Sequence, residues 1–220
     1  MNVPQYIASL RDVLEHVSCP DVLRLQDVLF EAWRAGRTIF IAGNGGSAAT
    51  ASHFANDLNK GASVTDQPRF RAMALSDNVP LITAWANDTS YDRIFLEQIA
   101  NFLRPGDVFM AISGSGNSPN IIAAVQWARE AGAIAIGITG GTGGRLRALV
   151  DHCLVVPSTS MEQIEDVHLI VAHALCTSLR TAIAARAHAT MRTPARQPSV
   201  PDLGRQPTVA AGHQGEGSRR

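Results

Sequence analysis

Three cysteines are all that this 220-residue chain holds, and Cys19, Cys153 and Cys176 are far apart, with no C-x-x-C spacing. An odd number of scattered thiols argues against a disulfide framework and suits a reducing compartment. Neither sign of charge is in excess, since 19 Lys and Arg balance 19 Asp and Glu. No overall field recruits nucleic acid or an anionic membrane, so any anion must be caught locally. The first fifteen residues carry Arg11, Asp12 and Glu15 where a secretory leader needs an apolar core. No apolar run approaches the roughly 18 to 20 residues that cross a bilayer. These absences predict a cytoplasmic protein without a membrane span and without a nucleic-acid partner.

What is present is a repeated pattern. Residues 4 to 18 and 21 to 35 carry apolar side chains at three and four spacings, which predicts two opening helices over 1–36. From Thr38 the register changes to short β-rich runs, each followed by Gly, Ser or Asn: 38–42, 70–75, 107–112 and 133–139, with a last run at 153–156. Strand, loop and helix in repetition predict an α/β fold, a doubly wound parallel sheet, over 37–190. Ser160 and Gln163 form an S-x-x-Q capping box that opens a long helix to about residue 189. Residues 191–220 hold four prolines among Gly, Gln and Arg, with too few large apolar side chains to repay ordering, and are expected to be a disordered tail.

Two loops have the chemistry of anion cradles. Gly43, Asn44, Gly45, Gly46 and Ser47 end a strand and open a helix of small residues, where free amides and the positive helix end suit an anion. No G-K-[ST] follows, so this is not a nucleotide P-loop, and no acidic residue about 20 positions on supports a dinucleotide site. Ser113, Gly114, Ser115, Gly116, Asn117 and Ser118 occupy the equivalent place after a later strand, with Ser118 able to cap the next helix. Neither loop contains Lys or Arg, which favours a small phosphate ester over a polyphosphate with magnesium. Turn geometry alone also favours Gly and Ser in such loops.

His53 and Asp57 follow the first loop four residues apart, on one helical face and about 6 Å apart along its axis. Glu162, Glu165, His168 and His173 lie on the late helix among Val, Leu and Ile, where polar groups need partners. Two histidines and two carboxylates make a plausible zinc set. Glu165 and His173 are, however, roughly 12 Å apart along a straight helix. A capped surface pair for His53 and Asp57, and hydrogen-bonded core histidines for His168 and His173, are the competing readings.

Read together, G-N-G-G-S (43–47), H-F-A-N-D (53–57), A-N-D (86–88), I-S-G-S-G-N-S (112–118) and I-E-D-V-H (164–168), with His173 behind them, resemble the phosphoheptose isomerases of the SIS-domain family. The resemblance covers roughly residues 5 to 185. It implies a sugar-phosphate isomerase that interconverts sedoheptulose 7-phosphate and D-glycero-D-heptose 7-phosphate through an enediol. It implies substrate contacts from Asn44, Gly45, Gly46, Ser47, Asp57, Asn87, Asp88, Ser113, Gly114, Ser115, Ser118, Glu162 and Glu165. It further implies Asp57 as base, His173 as acid, zinc (Zn2+) at His53, Asp57, Glu165 and His173, and a homotetramer with active sites at subunit interfaces.

Three positions depart from the family pattern. Asp57 stands where Glu is usual, Glu165 where Gln is usual, and Gly114 where Thr is usual. The first shortens the base, the second adds a negative charge, and the third removes a hydroxyl. They keep open a second reading, a non-catalytic SIS-domain protein that binds sugar phosphate or the replication initiator DnaA. A third is an isomerase for a related, pathway-specific sugar phosphate.

Overall fold

The structure, a computed structural model, describes residues 1–192. The last helix continues to Arg192, and the rest of the expected tail lies outside the described residues.

The two opening helices are α1 (Val3–Glu15) and α2 (Cys19–Arg34). Asn2 and Gln5 form a reciprocal capping box on α1, Ser18 caps α2, and each helix has Pro in its first turn, where a missing N–H costs nothing. One stripe of α2 buries Leu25, Leu29, Ala32 and Trp33. The strands are β1 (Thr38–Gly43), β2 (Arg71–Ala74), β3 (Val108–Ser113), β4 (Ile134–Gly140) and β5 (His152–Val156). Between them run α3 (Gly46–Asn56), α4 (Val79–Asp88), α5 (Leu96–Phe102), α6 (Pro119–Glu130) and α7 (Leu146–Leu149), and α8 (Met161–Arg192) closes the fold.

All pairings are parallel, in the order β2-β1-β3-β4-β5. Alternation along each strand divides the core into two layers. Ile39, Ile41, Met110, Ile112 and Ile138 meet α2, α3 and α8, whereas Phe40, Ala42, Phe109 and Ala111 meet α5, α6 and α7. The sheet is thus covered on both faces, the doubly wound arrangement expected. Connections leave β1 and β3 toward opposite sides, which opens a crevice beyond their carboxyl ends, the usual place for a ligand in such sheets.

Two expectations need correction at α8. Its N-terminus is where the capping motif put it, but the box does not form: the Gln163 side chain accepts from Ser158 Oγ and donates to Ser9 Oγ on α1, and Ser160 Oγ donates to Glu162. Tertiary partners outbid the local one. Second, α8 is long and apolar enough, by length and composition, to cross a membrane. Here that apolarity faces the sheet, because Ile164, Val167, Val171, Leu175, Leu179 and Ile183 follow one helical stripe into the core.

His168 shares that buried stripe. It is 1 % exposed, and neither ring nitrogen makes a hydrogen bond of good geometry, the Thr139 backbone being its polar neighbour. Burial pushes its pKa down to about 4, with the Thr139 backbone acting the other way. An unfolded imidazole takes up its proton near pH 6.5, so acidification favours the unfolded state between there and pH 4. The resulting loss is about 2 kcal/mol at pH 5 and about 3 kcal/mol below pH 4. Denaturant titrations at pH 7 and pH 5 should therefore show His168→Leu losing about 2 kcal/mol less than the parent. Equal losses would remove His168 as the source.

Candidate active site

The crevice is built from the loop after β1 and the loop after β3. Gly43 has no room for a side chain, since a Cβ would meet the Ser47 backbone, and Gly45 takes φ +53, so the chain turns sharply into α3. Gly45 caps α3 without a side-chain bond, and the first helical amide with a backbone acceptor is that of Ala48. The amides of Gly46 and Ser47 belong to the unsatisfied first turn, the end of a helix that attracts anions.

Asn44 is fixed by residues the sequence did not single out. Its side chain exchanges two 2.9 Å hydrogen bonds with Asn120, which is 1 % exposed and also accepts from the Ile121 amide. Tyr91 Oη donates to Asn44 Oδ1 at 3.1 Å, tying the segment just after α4 to the crevice. Both partners are remote in sequence, at separations of 76 and 47 residues. Only the proximity of Asn120 to the second serine loop hinted at its place.

Next to Asn44 lies a small cavity of about 140 Å³ lined by Ser47, Ser113, Ser115, Ser118, Met161 and Glu165 among others. Ser113 and Ser118 hydroxyls are 3.4 Å apart. Ser118 takes the N-cap position of α6 but makes no side-chain cap bond, so its hydroxyl stays with Ser113 rather than with the helix. Ser115 Oγ accepts from the Asn117 amide. No Lys or Arg lines the cavity. Gly114 is bare for a reason: a Cβ there would overlap the Met161 thioether, so an apolar group fills the space that a Thr side chain would take. A Cβ at Gly46 would likewise overlap the Glu165 carboxyl, which therefore stands over the start of α3.

The second cluster lies farther along α3 and α8. His53, Asp57 and His173 each offer a ligand atom within 4.8 Å of the others. The two Nε2 atoms are 3.0 Å apart, and Asp57 Oδ2 stands 3.6 Å from His53 and 3.8 Å from His173. The imidazoles are half exposed, whereas the Asp57 side chain is 15 % exposed and its Oδ2 is buried without a hydrogen-bond partner. His173 is thus not a core histidine, and the pairing across 120 residues shows that His53 and Asp57 are more than a surface pair. At Asp57 the helix widens into a π turn, Asp57–Gly61, closed by a 2.8 Å bond from the Ala62 amide to the Asp57 carbonyl. Such turns recur at functional sites.

Glu165 does not join this trio. Two helical turns separate it from His173, and it faces the serine cavity instead, so the expected set of four ligands is divided between the serine cavity and the trio. Asn87 and Asp88 end α4 in exposed positions, hydrogen-bonded to each other. Glu162 is exposed and accepts from Ser160; it does not line the cavity.

The trio fits zinc. Ligand atoms on a tetrahedral zinc stand about 3.3 Å apart, given bonds of about 2.0 to 2.2 Å. The separations of 3.0, 3.6 and 3.8 Å match that face, and a buried carboxylate oxygen without a partner is what a metal would satisfy.

Comparison with known proteins gives a consistent result. The SIS domain family model matches residues 5–140. The phosphoheptose isomerase of Rhodospirillum rubrum is 41% identical over 157 residues, which cover 71% of this chain and 83% of the relative. That of Bradyrhizobium sp. is 36% identical over 186 residues, covering 82% and 93%. Among solved structures, a phosphoheptose isomerase from Neisseria gonorrhoeae superposes with a TM-score of 0.76 at 30% identity, covering 81% of this chain and 97% of that one.

Proposed function

The chain belongs to the phosphoheptose isomerases of the SIS-domain family, and from that premise we propose that it interconverts sedoheptulose 7-phosphate and D-glycero-D-heptose 7-phosphate. The observation that carries this reading is the separation of two kinds of chemistry along α3. Hydroxyls and amides gather at the start of α3, and the His53, Asp57, His173 trio lies farther along it. From Gly46 to His53 is seven residues, a rise of roughly 10 Å. An extended seven-carbon phosphate also spans about 10 Å from C1 to phosphorus, given bonds of about 1.5 Å.

In this reading Ser113, Ser115, Ser118 and the first α3 amides bind the phosphate, and Asn44 orients the sugar. Held there, the substrate presents C1 and C2 to the trio. Asp57 takes a proton from C1, exchanges it with solvent and delivers a proton to C2, and His173 moves a proton between the two oxygens. His53, Asp57 and His173 would hold zinc, which as a Lewis acid stabilises negative charge on the substrate oxygens. Glu165 lies over the helix start and would face the substrate's polar groups, where its charge disfavours a dianion placed too deeply. A scaffold that only bound sugar phosphate or a protein partner would have no physical need for the trio.

Assembly of four copies with active sites between subunits suits this reading. Helix α4 reads V-P-L-I-T-A-W-A-N-D, yet not one of its residues is buried. Cover from another copy would shield these side chains and enclose Asn87 and Asp88. Three free thiols and the absence of a charged field suit the cytoplasm.

The test is a panel of purified ketose phosphates of five, six and seven carbons, with aldose products resolved by NMR. The seven-carbon ester should be turned over with kcat/KM at least about tenfold above the five-carbon one, which cannot span from the serine cavity to the trio. No aldose from sedoheptulose 7-phosphate, with or without added zinc, would refute the assignment.

A further inference from the structure

Asp57 is where α3 meets the π turn, and its own dihedrals, φ −61 and ψ −44, are those of an ordinary helix. The widening begins after it and brings Gly61 against α8. A Cβ on Gly61 would stand 2.9 Å from Cys176 Sγ and 3.6 Å from Asp57 Oδ1, so only glycine allows the two segments to approach this closely. Cys176 Sγ donates to the Asp57 carbonyl at 3.5 Å, beside the Ala62 amide that already bonds it. Arg180 Nη1 donates to the Gly61 carbonyl at 3.3 Å. His173, Cys176 and Arg180 stand at i, i+3 and i+7, on one face of α8. The helix that carries His173 is therefore fastened to the turn that carries Asp57 at two successive levels, thiol to carbonyl and guanidinium to carbonyl, beside the 3.8 Å approach of His173 to Asp57.

We propose that Gly61, Cys176 and Arg180 are positioning residues that set the distance between Asp57 and His173 by fixing how closely the π turn and α8 approach. The proposal rests on the isomerase reading for its kinetic consequence, but its structural consequence, the metal affinity of the trio, does not. None of the three touches the serine cavity, roughly 10 Å away along α3. Misplacing a reacting group by about 1 Å costs on the order of 100-fold in rate. A change at Gly61 should therefore lower kcat and leave KM nearly unchanged.

The experiment compares Gly61→Ala, Arg180→Met and Arg180→Lys with the parent by steady-state kinetics and by zinc competition against a chromophoric chelator. Gly61→Ala should lower kcat about 10- to 100-fold with KM within about threefold, and weaken zinc at least about tenfold. Arg180→Met should lower kcat about fivefold, and Arg180→Lys, which keeps a donor, should recover at least half of the parent value. Arg180 is exposed, so its pair of variants decides the matter should Gly61→Ala fail to fold. Parent-like kcat and zinc affinity in Gly61→Ala and Arg180→Met, or Lys no better than Met, would overturn the proposal. An inactive parent would refute the isomerase reading instead, and zinc affinity would still test the positioning.

Discussion

Replacing Asp57 with Asn should lower turnover of the ketose phosphate by about 10²- to 10⁴-fold, the usual contribution of a general base. Asn matches Asp in shape but cannot accept a proton from carbon at neutral pH. The substituted side chain sits at the helix end with Oδ2 buried, so volume and packing are kept and the thermal midpoint should move little. Two roles are separable here. A carboxylate that merely bound zinc would lose affinity on substitution, and saturating zinc would restore the rate. A base would not be replaced at any zinc concentration, and that is the expected outcome. Near-parent activity in zinc-saturated Asp57→Asn would remove Asp57 as base.

The second large effect lies at the serine cavity. Ser113→Ala combined with Ser118→Ala removes two neighbouring hydroxyls from a cavity that has no cationic side chain to compensate. Hydrogen bonds to a charged group are worth about 1.5 to 3 kcal/mol each, so kcat/KM for the phosphorylated ketose should fall by roughly 10² to 10⁴. Part of that loss should appear in kcat, because binding energy at the phosphate positions the distant carbons. Unphosphorylated sedoheptulose provides the control, since parent and variant should handle it equally slowly. If the variant loses as much on the unphosphorylated sugar, the serines hold something other than phosphate.

Much of the fold was legible because its signals are local. Alternation such as Ile39, Phe40, Ile41, Ala42 needs nothing but the strand itself to divide between two faces. His53 and Asp57 were legible for the same reason, being one helical turn apart. What the sequence left hidden depends on long-range contacts. Asn120 and Tyr91 matter only because tertiary structure sets them on Asn44. The π turn at Asp57–Gly61 has no composition of its own; contacts from Cys176 and Arg180 accompany it, and both come from the far end of the chain. The Ser160 and Gln163 box failed by the same logic, since Ser9 and Ser158 offered Gln163 other partners. Glu165 and His173, eight residues apart on one helix, resolve into two stations: Glu165 faces the serine cavity and His173 faces the trio. Helical rise alone foretold that they would not meet easily.

The departures from the family pattern also acquire a physical setting. Gly114 is matched by Met161, whose thioether occupies the space a larger residue would need. The shorter Asp57 is accompanied by a glycine at 61 that lets α8 come close. At Gly114 a neighbour thus accommodates the changed volume.

The most direct measurement is the conversion of sedoheptulose 7-phosphate by the parent protein in D2O, followed by NMR with the aldose product resolved. Proton transfer through an enediol, with Asp57 exchanging its proton with solvent, predicts aldose 7-phosphate carrying deuterium at C2. Aldose that retains the original C1 proton at C2 in every molecule, or no aldose at all, would contradict the account.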